Sequence, residues 1–312
     1  MGGGSMRVAV TGASGFVGGA VCRAAVARGW ETYAFGRRSS VAAAHVAGAP
    51  YRSWDITAPP PGALPEVDAV IHCAGSVTDW GPPREIWAAN VTGTRNVAAA
   101  FPRARFVHVS TASVYDPFRP TVRATEDEAP VRRYVNAYGA SKAAAELALA
   151  GRAIVLRPHA VYGPGDTTLL PRVLAAVRGR RLFAVGDGRQ RISLTSVGNL
   201  VRACLLAASG PVETGVFNIT DPEPLVLDDA LRAILRERGL DAEPRYLPAR
   251  LVEPLAAVTE TTFRLLRSSR PPTLTRYAVG HLATERTLDI SAAERVLGYR
   301  PAPTSFAGAA GW

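Results

Sequence analysis

Near its start the chain reads Thr11-Gly12-Ala13-Ser14-Gly15-Phe16-Val17-Gly18, between an apolar run from Arg7 to Thr11 and an alanine-rich segment that ends near Arg28. The run predicts a β-strand, and the segment predicts a helix. Glycines at these three positions allow a tight turn, close approach of backbone N–H groups to a pyrophosphate, and close packing of helix on strand. The stretch therefore predicts a dinucleotide-binding loop; the alternative is an ordinary structural turn.

The alternation of short β-branched runs with alanine-rich segments continues to about Tyr162. It predicts further strands at Glu31 to Phe35, Val67 to Cys73, Arg105 to Ser110 and Ala153 to Arg157. It predicts further helices at Pro83 to Phe101 and Ala137 to Ala150. Strands that alternate with helices form a parallel sheet covered on both faces. We therefore predict an α/β fold with a Rossmann-type, doubly wound parallel sheet.

Beyond Tyr162 the alternation loosens and prolines accumulate. The pattern predicts helices at Leu169 to Arg178, Val197 to Ala208 and Leu227 to Arg238. It predicts one strand, at Val216 to Ile219. We assign residues 6–165 to a dinucleotide-binding domain. Residues 166–312 form mainly a smaller mixed C-terminal lobe that binds the substrate, with chain segments that return to the first domain. Residues 1–5 read as an addition ahead of a natural start at Met6.

Composition excludes several classes of protein. A chain of 312 residues with 47% hydrophobic and 20% charged positions is neither disordered nor fibrous. Three cysteines without C-x-x-C spacing indicate a reducing compartment and no thiolate metal site. No uncharged apolar window of membrane-spanning length occurs, so we expect a cytoplasmic protein with no integral membrane segment. The net charge of +10 comes from arginines spread along the whole chain, which indicates compositional bias and no nucleic-acid partner.

The choice of nucleotide depends on the end of the second strand, Ala34-Phe35-Gly36-Arg37-Arg38. An acidic residue here holds the ribose 2′-hydroxyl of NAD, whereas arginine accommodates the 2′-phosphate of NADP. The pair Arg37 and Arg38 therefore favours NADP(H), and NAD(H) remains the alternative. Asp55, at the end of the third predicted strand in Trp54-Asp55-Ile56, meets the adenine edge or is an ordinary strand-end acid.

The sequence Tyr138-Gly139-Ala140-Ser141-Lys142 places a phenol and the chain's single lysine four residues apart. On a helix these two side chains share one face. An ammonium beside a phenol stabilises the phenolate and is expected to lower the pKa of Tyr138 towards the range useful for proton transfer. The pair therefore predicts a site for acid/base chemistry.

With these motifs the chain resembles the extended short-chain dehydrogenase/reductase family. The resemblance extends over nearly the whole chain and includes Val109-Ser110-Thr111-Ala112-Ser113-Val114-Tyr115, His72-Cys73-Ala74-Gly75, Asn90-Val91-Thr92-Gly93-Thr94 and Arg157-Pro158-His159-Ala160-Val161-Tyr162-Gly163-Pro164-Gly165.

The resemblance implies a role for each matching residue. Tyr138 is the acid/base, Lys142 holds the nicotinamide ribose, Thr111 hydrogen-bonds the reacting oxygen, and Asn90 orders the helix and strand beneath them. Cofactor contacts are implied for Gly12, Ser14, Gly15, Phe16, Val17, Gly18, Arg37, Arg38, Asp55, Ile56, Ala74, Gly75, Lys142, Pro158, Ala160 and Val161. Substrate contacts are implied for Ser113, Tyr115, His159 and Arg191. The alternatives are loop packing for Ser113 and Tyr115, and a hydrogen-bonded core position for His159.

The branch within the family remains open at this point. Nucleotide-sugar dehydratases carry an Asp-Glu pair after the threonine, where this chain has Ala112-Ser113. Epimerases remain an alternative, because Arg191 in Gly186-Asp187-Gly188-Arg189-Gln190-Arg191 could meet a diphosphate. Otherwise the C-terminal third, from Ser196 through Pro271-Pro272-Thr273-Leu274-Thr275-Arg276 to Leu297-Gly298-Tyr299-Arg300-Pro301, is similar to the 3β-hydroxysteroid and sterol dehydrogenase branch.

That branch implies interconversion of a secondary alcohol and a ketone on a mainly apolar small molecule, sterol-like or a β-hydroxy or β-keto compound. An apolar stripe of Leu251, Leu255, Val258 and Leu265 could line its pocket or form plain core. With Arg264, Arg267 and Arg270 close by, peripheral membrane contact is a further alternative. A non-catalytic dinucleotide sensor is the alternative from another class, which the Tyr and Lys pair disfavours. A homodimer is a further expectation.

Overall fold

The structure, a computed structural model, describes residues 5–266, 268, 272 and 275–312. The strands are β1 (Arg7–Thr11), β2 (Glu31–Gly36), β3 (Tyr51–Ser53), β4 (Ala69–His72), β5 (Arg105–Val109), β6 (Thr121–Ala124), β7 (Ala153–Pro158), β8 (Val161–Tyr162), β9 (Val177–Arg178), β10 (Arg181–Val185), β11 (Arg191–Ile192), β12 (Thr195–Ser196), β13 (Gly215–Ile219), β14 (Leu225–Val226), β15 (Glu243–Leu247) and β16 (Arg286–Leu288). The helices are α1 (Phe16–Ala27), α2 (Pro83–Trp87), α3 (Gly93–Ala100), α4 (Ala137–Ala148), α5 (Leu169–Ala175), α6 (Val197–Ser209), α7 (Leu227–Glu237), α8 (Ala249–Leu265), α9 (Arg276–Ala283) and α10 (Ser291–Leu297).

A seven-stranded sheet in the order β13-β7-β5-β4-β1-β2-β3 forms the centre of the fold. Every neighbouring pair in it is parallel. Its central strands are buried along their length because helices cover both faces, which explains their nearly continuous apolar sequences. The predicted α/β, Rossmann-type fold is confirmed. The strand order reverses between β1 and β4, and at such a switch point the carboxyl ends of the strands open a crevice for ligands.

The two faces of the sheet are covered by different parts of the chain. On one face α1 and α6 pack in a core that contains Val21, Leu200 and Cys204. On the other face lies a core with Trp54, Val97, Phe101 and Leu149. Because β13 and α6 come from the second half of the chain, that half contributes directly to the seven-stranded sheet and its cover.

The rest of the second half builds smaller sheets with the orders β15-β10-β9, β14-β11-β16-β6 and β12-β8. A separate core joins α5, α7 and the end of the chain through Leu170, Leu231 and Phe306. Helix α8 packs on α9, where Val252 and Ala256 meet Val279. Among the described residues, the structure contains no helix that is long and apolar enough to cross a membrane.

Several predicted elements differ from the structure in their extent. The strand predicted over Val67 to Cys73 is limited to Ala69–His72. The helix predicted over Pro83 to Phe101 is interrupted by a π-helical segment at Ala88–Thr92, and the helix predicted to reach Arg178 ends at Ala175 because Val177–Arg178 pair with β10. The third strand ends at Ser53, so Asp55 lies in the following turn. Such ends depend on hydrogen bonds to distant segments, which local patterns do not contain.

The apolar stripe of the second half does not line a pocket. Leu251, Leu255, Val258 and Leu265 are 58% to 79% exposed on the outer face of α8. The opposite face of the helix carries the buried Val252, Ala256 and Glu260. Arg267 and Arg270, the nearby arginines of the membrane-contact alternative, and most of Pro271 to Leu274 lie outside the described residues, as do residues 1–4.

Candidate active site

The glycine-rich loop joins β1 to the N-terminus of α1. Gly12 has φ +73°, and a Cβ there would lie 2.6 Å from the Ala74 amide nitrogen. A Cβ on Gly18 would lie 2.2 Å from the Gly12 carbonyl oxygen. Gly15 precedes α1 without a side-chain cap, and the first turn, with Phe16 and Val17, carries no acidic residue. Free N–H groups at the positive end of a helix fit the pyrophosphate of a dinucleotide.

The ribose end of this loop is crowded around Gly36. A Cβ on Gly36 would lie 2.6 Å from Ser14 Oγ and 2.8 Å from the Tyr51 hydroxyl oxygen. A side chain at that position would therefore require Ser14 and Tyr51 to shift. Arg37 and Arg38 follow directly and are exposed, and the Tyr51 hydroxyl donates to the Arg38 carbonyl at 2.7 Å.

Asp55 and Ile56 are placed differently from each other. The Asp55 carboxylate accepts hydrogen bonds from the Thr57 amide at 3.0 Å and from its hydroxyl at 2.8 Å. These bonds lower the pKa of Asp55, and the nearby Arg37 adds a smaller effect in the same direction. Ile56 is buried and packs against Gly93, so its side chain belongs to the core rather than to an open surface.

Thr111 and Tyr138 stand at the carboxyl edge of the sheet. Thr111 follows β5 and is 9% exposed, and Tyr138 is 8% exposed in the first turn of α4. Burial raises the pKa of Tyr138, and a hydrogen bond with Thr111 acts in the opposite direction. The expectation that Lys142 lowers this pKa is wrong for this structure, because burial dominates and Lys142 is not among the groups that act on Tyr138.

Lys142 is held from β5. Its Nζ donates to the Val109 carbonyl at 2.7 Å and lies 3.3 Å from His108 Nε2. His108 is stacked on His72, with ring centroids 5.3 Å apart. Burial lowers the pKa of Lys142 to about 8, whereas the charge of Glu146 raises it. Because an ammonium has three N–H donors, these two contacts leave one for another acceptor.

Asn90 connects the loop after β4 with α4. It lies in the π-helical segment, and its amide donates to the Ser76 carbonyl at 3.1 Å and to Ser141 Oγ at 2.9 Å. Its Oδ1 accepts the Ser76 N–H at 2.7 Å, and a Cβ on Gly75 would lie 2.8 Å from it. Single turns of π-helix occur frequently at functional sites.

The segment after β7 lies near this edge as well. Pro158 ends β7, Ala160 has φ +46°, and Val161 pairs with Thr195 in the β8 to β12 ladder. Positive φ at a residue other than glycine costs conformational energy, so this bend is held by its surroundings. Thr195 helps to hold it, since the Thr195 hydroxyl donates to the His159 carbonyl at 2.9 Å.

A cavity of about 20 Å³ has Ser113, Tyr115, Gly139, His159 and Tyr277 among its lining residues. Thr111 and Tyr138 do not line it themselves, but Thr111 donates to Ser113 Oγ at 3.1 Å, and Tyr138 precedes Gly139 on α4. Ser113 Oγ lies 2.7 Å from the Tyr277 hydroxyl oxygen. His159 contacts the Ser193 carbonyl through Nδ1 at 2.6 Å, and burial lowers its pKa to about 4. The cavity therefore presents hydroxyl groups and a neutral imidazole.

Two of the predicted substrate contacts have their polar groups engaged elsewhere, although Tyr115 lines the cavity. The Tyr115 hydroxyl is 2.7 Å from Asn218 Oδ1 and 3.0 Å from the Thr125 carbonyl, so it is used within the core. Arg191 is exposed, donates to the Pro224 carbonyl at 3.1 Å, and does not line the cavity. The structure brings together Ser113, His159 and the Tyr138 region but not Arg191.

Two features of the site escaped the sequence. Tyr277 reaches Ser113 from α9, which no local pattern indicates. Glu146 forms a buried ion pair with Arg157 at 2.8 Å and accepts a hydrogen bond from Ser110, between Val109 and Thr111. The spacing of Lys142 and Glu146, one helical turn apart, was the available signal, since side chains so spaced share a face.

A loop suited to a dinucleotide and a Thr, Tyr and Lys set at one sheet edge define a nicotinamide-dependent oxidoreductase. Residues 8–220 match the NAD dependent epimerase/dehydratase family. The chain belongs to this family.

Relatives with similarity over most of the chain include reductases and dehydrogenases. The chain is 33% identical to a 2-alkyl-3-oxoalkanoate reductase of Stenotrophomonas maltophilia over 95% of both chains. It is 34% identical to the 4-hydroxy-2-methyl-3-oxo-4-farnesyl-3,4-dihydroquinoline-1-oxide ketoreductase of Stigmatella aurantiaca, over 94% of this chain and 92% of the relative. A 3 beta-hydroxysteroid dehydrogenase/Delta 5-->4-isomerase of Mycobacterium tuberculosis is 29% identical over 95% of this chain and 86% of the relative. The resemblance to the extended dehydrogenase/reductase family and its 3β-hydroxysteroid branch is confirmed.

Among solved structures, MoeE5 in complex with UDP-glucuronic acid and NAD superimposes with a TM-score of 0.71 at 25% identity, over 97% of this chain and 95% of that chain. The fold is therefore that of a family whose members bind NAD.

Proposed function

We propose that this enzyme reduces a ketone to a secondary alcohol on a mainly apolar molecule, with NADP(H) as cofactor and Tyr138 as the proton donor. The observation that carries the proposal is the placement of Tyr138, Thr111 and the Lys142 ammonium at the carboxyl edge of β5, where Thr111 donates to Ser113, a residue that lines the cavity. The reverse oxidation uses the same groups.

Each residue has a part in the proton transfer. A nicotinamide nucleotide bound at the glycine loop supplies the hydride. Because burial raises the pKa of Tyr138, its hydroxyl stays protonated at neutral pH and is suited to donate to a developing alkoxide. The Thr111 hydroxyl hydrogen-bonds the same oxygen. Lys142, protonated near neutral pH, holds its ammonium beneath the site through the Val109 carbonyl.

NADP(H) is favoured over NAD(H) by the end of β2. Guanidinium groups form strong charge-assisted hydrogen bonds with phosphate, and both Arg37 and Arg38 are exposed there. NAD(H) is the alternative cofactor, because the similar structure of MoeE5 contains NAD.

The substrate class draws on the relatives and on the cavity. A 3-oxoalkanoate and a 3-oxo quinoline derivative appear in the names of two relatives that cover nearly the whole chain. We therefore propose a ketone β to a second carbonyl group. The cavity has room for about one water molecule, so the body of such a substrate needs more space than this structure shows, and Tyr277, which contacts Ser113, forms one of the walls.

The test is turnover of 3-oxo esters by the purified enzyme, followed by NADPH absorbance. Tyr138→Phe should lower kcat by about 10² or more with the NADPH dissociation constant nearly unchanged, as expected for loss of a general acid. Tyr246→Phe is the matched control, since that hydroxyl donates to Asp228 at 2.7 Å and does not line the cavity. Turnover near the wild-type rate in Tyr138→Phe would exclude the assignment.

Nucleotide-sugar epimerisation is the second candidate, and the match to UDP-sugar-bound structures favours it. It predicts tightly retained nucleotide and turnover without net oxidation of NADPH. Stoichiometric NADPH oxidation with alcohol product would exclude it.

A further inference from the structure

An open cleft of about 380 Å³ lies beside the catalytic cavity and is lined by Asp116, Phe118, Arg119, Val131, Arg132 and Arg133. Its walls are two loops, one after the short turn that follows β5 and one before α4. The same two loops line the catalytic cavity through Ser113, Pro117 and Tyr134. The cleft and the cavity are therefore neighbours, since Pro117 lies between Asp116 and Phe118, and Tyr134 follows Arg133.

Three guanidinium groups at this cleft have no acidic partner. Arg119, Arg132 and Arg133 are exposed, and none of them takes part in an ion pair among the described residues. The carboxylate of the cleft, Asp116, accepts the Phe118 N–H at 2.8 Å. Elsewhere exposed arginines do find acids, as Arg180 does with Asp241 at 2.8 Å. The cleft therefore carries a net charge of about +2 and unused donors.

Phe118 adds an apolar surface to these charges. Its ring is 53% exposed, and the Arg133 guanidinium carbon lies 5.7 Å from the ring centroid. Such a contact is an exposed cation–π interaction that holds the guanidinium in place at small cost. The cleft thus combines a flat apolar surface with oriented N–H donors.

We propose that this cleft binds the anionic oxygens, carboxylate or phosphate, of the same molecule whose ketone enters the catalytic cavity. The inference rests on the proposed ketone reduction and narrows its substrate to an acidic ketone, either a free 3-oxo acid or a thioester with a phosphate-bearing carrier. The planar fork of arginine matches both kinds of oxyanion. Because the cleft lies outside the reacting centre, its contacts affect substrate binding and leave the chemical step unchanged.

The test compares three ketones with the same acyl chain: the 3-oxo acid, its coenzyme A thioester and its neutral methyl ester. Arg132→Ala/Arg133→Ala should raise KM for at least one anionic ketone by about tenfold, with KM for the ester and kcat for all within about twofold. High salt should weaken binding of that anionic ketone to the wild type and leave the ester unaffected. The control, Arg180→Ala/Arg245→Ala, removes the same charge from another exposed surface.

The outcomes separate the inference from the proposed function. An effect on the thioester alone identifies phosphate as the bound group, and an effect on the free acid identifies carboxylate; both support the inference. Equal effects on the ester, equal effects in the control, or no effect on either anion overturn it while ester reduction still upholds ketone reduction. If the wild type reduces none of the three ketones, the proposed function fails and the inference fails with it.

Discussion

Glu146→Gln tests the buried ion pair that joins α4 to β7. The side chains of Arg157 and Glu146 are 2% and 5% exposed, and their nearest nitrogen and oxygen are 2.8 Å apart. Burial lowers the pKa of Arg157, but hydrogen bonds and charge from Glu146 outweigh it and raise the pKa above its usual value. Glutamine keeps the shape and loses the charge, so a guanidinium remains buried without a counterion.

Breaking a buried pair in this way costs about 3 kcal/mol or more. Arg157 retains the Glu126 and Ala129 carbonyls as acceptors at 2.8 and 3.0 Å, which places the expected loss at the lower end of that range. For a chain of this length the loss corresponds to a fall in Tm of roughly 5 °C. Ser110 donates to Glu146 and lies between Val109, which holds Lys142, and Thr111. Loss of the Glu146 charge should therefore disturb both neighbours and lower kcat as well.

The assay is urea unfolding followed by circular dichroism, together with Tm and kcat. Asp241→Asn is the matched control, because its pair with Arg180 has the same 2.8 Å separation with side chains 81% and 78% exposed. Exposed pairs contribute about 0–1 kcal/mol. A loss in Glu146→Gln no larger than in Asp241→Asn would refute the argument that burial makes this pair important.

Three further predictions follow from single contacts. Burial lowers the pKa of Lys142 from 10.5 to about 8, so the unfolded chain holds this proton to higher pH than the folded chain. The unfolding free energy of the wild type relative to Lys142→Met should therefore rise by roughly 2–3 kcal/mol between pH 7 and 10. A difference that stays constant with pH would contradict this prediction. Arg37→Ala/Arg38→Ala should lower kcat/KM for NADPH by about tenfold and leave that for NADH unchanged, whereas equal losses would indicate general damage. Arg191→Ala should change ketone turnover by less than about twofold, and a large loss would restore a substrate-binding role to this side chain.

Local features of the sequence predicted the central sheet and the two best-defined motifs. Strands β1, β2, β5 and β7 begin at the predicted residues, since buried parallel strands require continuous apolar runs that are visible in the sequence. The Gly12 to Gly18 loop and the Tyr138 to Lys142 spacing were visible for a similar reason. Each depends on backbone conformation or helical period within a few residues.

Contacts between distant segments decided the rest. Ser113 and Tyr277 are 164 residues apart, and the direction of Arg191 depends on the strand that pairs with β11. The stripe on α8 has an apolar period, but only the position of α9 determines which face of the helix is buried. Burial also decided the pKa of Tyr138, because desolvation depends on every atom packed around the phenol. The sequence by itself determined the Gly12 to Gly18 loop and the spacing of Tyr138 and Lys142. Packing between distant segments decided what surrounds them, because neither solvent exposure nor long-range contact is encoded in the spacing of neighbouring residues.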